Sequence, residues 1–160
     1  MGCPEIKHIL VATDDSENAQ YAFSYAACFA KKFNAKVTLL HVVQEFKDMV
    51  AFDFGIERSV AAKKWFSVNN EYFMEVKNRF KEMAKENYSE ESINIKDVVV
   101  EKGNPVKMIL HAAKERDCDL IVMGSKGKGG LEDTMMGNTA TGVLRRSKVP
   151  VLVTRYPKDK

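Results

Sequence analysis

The chain has 160 residues, 45% of them apolar and 29% charged, which suits one soluble globular domain over residues 1–160 with room for a sizeable core. A net charge of +3 and a pI near 8.7, with acids and bases interspersed, argue against a nucleic-acid partner. No apolar run is long enough to cross a bilayer, and Met1-Gly2-Cys3-Pro4 lacks the apolar core of a secretory signal, so the expected location is the cytoplasm, away from membranes.

Lys7 to Thr13 is a short apolar run rich in branched residues and reads as a buried strand. Asp14-Asp15-Ser16 supplies cap-type residues, and a helix is expected over about Glu17 to Phe33, with Ala19, Ala22, Phe23, Ala26, Ala27 and Ala30 on one face. Asn34 is a stop signal, and Lys36 to Val43 reads as a second buried strand. Gln44 to Glu57 shows no clear period. A long helical pattern then runs from about Arg58 to Asn87, where Ala61, Trp65, Tyr72, Phe73 and Phe80 form a packing face.

Ile93 to Glu101 reads as a third strand, whose partly polar start suits an edge position. Gly103-Asn104-Pro105 marks a turn and the start of a helix that runs to about Arg116. Asp119 to Met123 reads as a fourth strand, followed by a glycine-rich loop from Gly124 to Gly130. A helix over about Gly137 to Arg146 and a strand over Val149 to Thr154 complete the pattern. Helices alternating with short apolar strands imply an α/β fold: a doubly wound, five-stranded parallel sheet in the order 3-2-1-4-5, with helices on both faces.

The cysteines, Cys3, Cys28 and Cys118, are odd in number and widely spaced, which fits neither a disulfide framework nor a zinc site. Cys28, among alanines and a phenylalanine, reads as a small packed residue. His8, His41 and His111 have no metal-ligand spacing and are expected to be packed structural histidines.

Ligands of doubly wound sheets bind outside the carboxyl ends of the strands, where strand order reverses. In the order 3-2-1-4-5 that point lies between strands 1 and 4, which end in Thr13-Asp14 and Met123-Gly124. Gly124, Gly127, Gly129 and Gly130 would allow backbone conformations closed to other residues and let a ligand approach the main chain, and their amides would form an anion nest. Gly137-Asn138-Thr139 opens a helix whose amino end favours phosphate, with Lys126 and Lys128 adding positive charge. Neither a Walker loop nor a G-x-G-x-x-G follows the first strand. Asp14, which ends it, suits a ribose hydroxyl or an adenine amino group, and equally a helix cap. The loop itself reads either as this cradle or as a plain flexible connection.

Gly124, Gly127 and Gly137 also reproduce the spacing G-x2-G-x9-G that follows strand 4 in ATP-binding universal stress proteins, and the chain resembles that family. ILVATDDSENA, GNPVKMIL, DLIVMGSKG and VPVLV carry the likeness through the chain except Gln44 to Asn87. The resemblance implies ATP, or AMP or ADP, with or without Mg2+, and a regulatory stress-response role with at most slow ATP hydrolysis. By position it puts adenine near Ala12, Thr13, Asp14 and Val42, and ribose and phosphates near Met123, Gly124, Lys126, Gly127, Gly137, Asn138 and Thr139. The chain departs from the family at Asn138, where Ser or Thr is expected and where Asn would still donate through its amide and cap the helix, and at Ala140, which lacks a common hydroxyl.

Those departures support a second reading, a dimeric partner-binding stress protein with a degenerate pocket. No nucleophile–base pair or carboxylate dyad marks an enzyme, and the histidine pair or Ser-Gly-Gly run of related nucleotide-transfer enzymes is replaced by DDSENAQ. Val149 to Thr154 is an apolar strand without internal Lys or Glu, so its edge invites a second copy. The family resemblance likewise implies a homodimer through this strand. The competing expectation is a monomer whose edge is covered by Gln44 to Glu57.

Overall fold

A computed structural model of the chain describes residues 1–14, 16–43, 93–127 and 136–157, together with positions 71, 74, 75, 77–79, 81, 82 and 85. The order is β1 (His8–Thr13), α1 (Glu17–Phe33), β2 (Lys36–Val43), helical residues within 71–85 (α2), β3 (Asn94–Lys102), α3 (Pro105–Glu115), β4 (Leu120–Gly124), α4 (Asn138–Arg146) and β5 (Val151–Thr154). All four strand pairings are parallel, and the five strands lie in the order β3-β2-β1-β4-β5. The expected doubly wound sheet is therefore the architecture. The aromatic face at Trp65, Tyr72, Phe73 and Phe80 lies outside the described residues, as do Gln44 to Glu57 and Lys128, Gly129 and Gly130.

Strand alternation divides the core between the two faces of the sheet. Ile9, Val11, Val37, Leu39 and Val122 meet Ala22, Phe23, Ala26 and Ala30 of α1 on the front. Leu10, Ala12, Leu40, Ile121 and Met123 meet Ile109 and Ala113 of α3 and Ala140 and Val143 of α4 on the back. Right-handed crossovers produce this division: the chain steps one way from β1 to β2 and the other way from β4 to β5.

Local signals set the ends of the elements. Ser16 caps α1, its Oγ accepting from Ala19 N at 3.2 Å, and Asn34 ends the helix in the left-handed region at φ 52°. Asn104 caps α3 through Lys107 N, with Pro105 in the first turn. β5 starts at Val151 rather than Val149, since Pro150 has no N–H to join the ladder and contributes its carbonyl to Ile121 N at 2.9 Å. The polar start of β3 fits its place at the sheet edge, where the register slips between Val37 and Thr38.

Two packing expectations are corrected. Cys28 is exposed: at about 100° per residue it falls on the outer side of α1, opposite Ala19 and Ala30. His111 is exposed as well, one residue before the buried pair Ala112 and Ala113. His8, in contrast, is fully buried. Its Nδ1–H donates to Arg116 O at 2.9 Å, and its Nε2 accepts from Thr38 Oγ1 at 2.8 Å. Cys118 is buried too, which pushes its thiol up to about 11 and leaves it inert at neutral pH.

Burial lowers the His8 pKa from its usual 6.5, with Lys36 and Lys96 acting in the same direction against Asp119 and the Arg116 carbonyl. The fold therefore favours neutral His8. The resulting stability is complete above pH 6.5 and declines as pH falls below it toward the lowered folded-state value. Melting temperature followed downward from neutral pH is expected to drop, with a smaller drop in His8→Gln. Equal slopes in the two proteins would remove His8 as the cause.

Candidate functional site

The carboxyl ends of β1 and β4 are neighbours in the sheet, with Ala12 level with Met123. Asp14 follows β1 and folds back locally, its Oδ1 accepting from Ser16 N at 3.1 Å. This is an Asx turn, and it leaves the helix cap to Ser16. The other carboxylate oxygen lies against the β4 loop, where a Cβ on Gly127 would collide with Asp14 Oδ2. The acid after β1 and the glycine loop after β4 thus meet where strand order reverses.

His41 pins the same corner from β2, its Nδ1 lying 2.8 Å from Thr13 O. With the ring N–H donating, the carbonyl at the end of β1 is tied to the neighbouring strand. α4 is anchored to the loop by Gly137 N, which donates to Ser125 O at 2.7 Å. Ser125 N in turn donates to Thr154 O at the end of β5. Among the described residues no side chain caps the start of α4, and main-chain bonding ties Gly137 to the loop.

The three motif glycines differ in what requires them. A Cβ on Gly124 would stand 2.9 Å from Asn18 Cβ and 3.0 Å from the main chain of α1, so this glycine admits the helix. Gly127 makes room for Asp14, and a Cβ on Gly137 would press on Ser125 O at 3.2 Å. None of these three adopts a positive φ; among the described glycines only Gly103 does, at 136°. The expectation that Gly124 and Gly127 use conformations closed to other residues is therefore corrected: close approach selects them.

Thr13 is buried at the end of β1, and Asp14, Val42, Gly124, Lys126, Gly137 and Thr139 are half-buried around the corner. Ala12 and Met123 point their side chains into the back core, which leaves only their main chain for a ligand. Asn138 is exposed one residue inside α4, and the N-cap is Gly137, which corrects the expectation that Asn138 caps the helix. Ala140 packs into the back core, so a hydroxyl there would be buried away from the corner. Sequence reasoning passed over Ser125, a 4% exposed residue whose Oγ has no hydrogen-bond partner among the described residues. A hydroxyl between Gly124 and Lys126 was the available signal.

A profile of the Universal stress protein family matches residues 5–155. The chain belongs to the universal stress protein family. It is 33% identical over 155 residues to the universal stress protein MJ0577 of Methanocaldococcus jannaschii, covering 93% of this chain and 94% of that one. It is 31% identical over 154 residues to the universal stress protein YxiE of Bacillus subtilis, covering 92% and 97%. Among solved structures, that of MJ0577 superposes with a TM-score of 0.76 at 28% identity, over 98% of this chain and all of the other (100%). The universal stress protein UspA from Lactobacillus plantarum superposes with a TM-score of 0.72 at 26% identity, over 96% and 100%. Among the described residues no helix is long and apolar enough to cross a membrane.

Proposed function

We propose that this universal stress protein binds an adenine nucleotide, ATP or its di- or monophosphate, at the carboxyl ends of β1 and β4. The observation that carries the reading is the contact between Asp14 and the Gly127 backbone at the switch point of the sheet. A carboxylate suited to ribose or adenine stands there beside a loop whose amides, with Lys126 and the amino end of α4, suit phosphates. Mg2+ would arrive on the phosphates, whose oxygens are its natural ligands. One fold neighbour, with a TM-score of 0.62 at 21% identity, is a universal stress protein in complex with cAMP. The role is regulatory, in the cytoplasm, with at most slow hydrolysis of the bound nucleotide.

Asp14→Ala is expected to weaken nucleotide binding by about 1.5–3 kcal/mol, the range for a hydrogen bond to a charged group. Calorimetric titration of ATP into both proteins measures it. A variant that loses stability but keeps full affinity would reduce Asp14 to a holder of the turn at Ser16.

The same reading includes a homodimer in which two β5 edges pair antiparallel about a two-fold axis. Val151, Leu152 and Val153 are each half-buried at that edge. The alternative, a partner-binding dimer with a degenerate pocket, now rests on Asn138 alone, since Ala140 faces the core. Thermal stabilisation by ATP separates the two, because a ligand selective for the native state must raise its stability.

A further inference from the structure

β5 is a short edge, four residues long, and its back face is covered by α4 through Val151 and Val153. Its front face carries Leu152, half-buried against the α1 side of the core. Among the described residues no element lies in front of β5 beyond the flank of α1.

That flank is aromatic. Asn18 identifies it, because Asn18 Oδ1 accepts from Tyr156 N at 3.1 Å, just past the end of β5. At about 100° per residue, Tyr25, Phe29 and Phe33 all fall within about 60° of Asn18 around the helix. Tyr25 is 40% exposed and Phe33 is 44% exposed, while Phe29 is half-buried against Phe33 with ring centroids 6.2 Å apart. At the upper end Tyr21 stacks edge-on against Tyr25 at 5.2 Å and against Tyr156 at 5.6 Å. Tyr156 is itself 39% exposed, so the aromatic surface is continuous from α1 to the end of β5.

We propose that this flank, Tyr25, Phe29 and Phe33 with Tyr156, is the second half of the self-association surface and is covered by another copy of the chain. The proposal rests on the β5 dimer of the reading above and goes beyond it. Area selects the occupant. A stable interface buries about 800 Å² and about 20–30 residues on each side, and a four-residue strand supplies a small part of that. The remainder must come from surface contiguous with the strand. Pairing two β5 edges antiparallel brings both front faces to the same side of the joined sheet. Each aromatic flank then borders the gap in front of the paired β5 strands. Aromatic side chains also fill such gaps at low entropic cost, which suits them to the centre of an interface.

Sedimentation equilibrium on the wild type, Val151→Asp and Tyr25→Lys/Phe33→Lys tests this, with circular dichroism and ATP titration confirming the fold of each. The expected result is a wild-type dimer whose dissociation constant rises at least tenfold in both variants. A dimer lost in Val151→Asp but unchanged in the aromatic variant overturns the proposal and leaves the β5 dimer standing. A dimer weakened only by the aromatic change also overturns it, because the surface would not be continuous with β5. A monomeric wild type removes the β5 dimer and this surface together, leaving nucleotide binding untouched. Should the double variant fail to fold, Tyr156→Ser, which lies outside every helix and strand, decides by the same criteria.

Discussion

Gly127→Val is expected to weaken ATP binding about tenfold to a hundredfold while leaving folding stability nearly unchanged. Gly127 is exposed in the β4 loop and does not use a positive φ, so a side chain brings no backbone strain. What it brings is a collision with Asp14 Oδ2. The carboxylate is the flexible end of its side chain and would move away, at the expense of the contact proposed for it with a nucleotide. The loss should match the value of that contact, about 1.5–3 kcal/mol. The two changes should also fail to add, because they act on one group. On an Asp14→Ala background, Gly127→Val is expected to cost little more. Full additivity in the four titrations would mean that the valine acts on the phosphates instead.

Gly124→Ala is expected to do the reverse, lowering stability by about 1–3 kcal/mol, as overpacking of a close contact does. The added methyl would meet the main-chain carbon and oxygen of Asn18, and neither can rotate away as a side chain would. α1 must shift off β4 to make room, loosening the apolar contact between Val122 and the alanines of the helix. Chemical denaturation of wild type and variant measures the loss. An unchanged midpoint would show that α1 yields freely and that Gly124 is not selected by packing.

The contrast between these two glycines shows where sequence reading succeeds and where it stops. The sheet order and helix faces were legible because they follow from periodicity and from residues such as Asn34, Asn104 and Pro105, whose backbone preferences act locally. The corner where β1 and β4 end side by side was legible too, since the switch point depends only on strand order. The reasons for individual residues were not. G-x2-G-x9-G reads as one ligand motif, yet Gly124 answers to Asn18, distant in sequence, and Gly127 answers to Asp14. Such close approaches are tertiary and leave no mark in the spacing. Cys28 was misplaced for a related reason: alanine neighbours suggested a core, but a shift of one residue turns a helical side chain by about 100°. Ala140, read from the sequence as a missing hydroxyl, packs into the back core, which periodicity alone did not reveal.

The central claim is that an adenine nucleotide occupies the corner built by Asp14, Gly127 and the amino end of α4. Mass spectrometry of small molecules released from the freshly purified wild type, alongside the same preparation of Gly127→Val, tests it most directly. The expected result is ATP, ADP or AMP at a substantial fraction of the protein concentration, strongly reduced in the variant. Nucleotide absent from the wild type, with no thermal stabilisation on adding ATP, would contradict it.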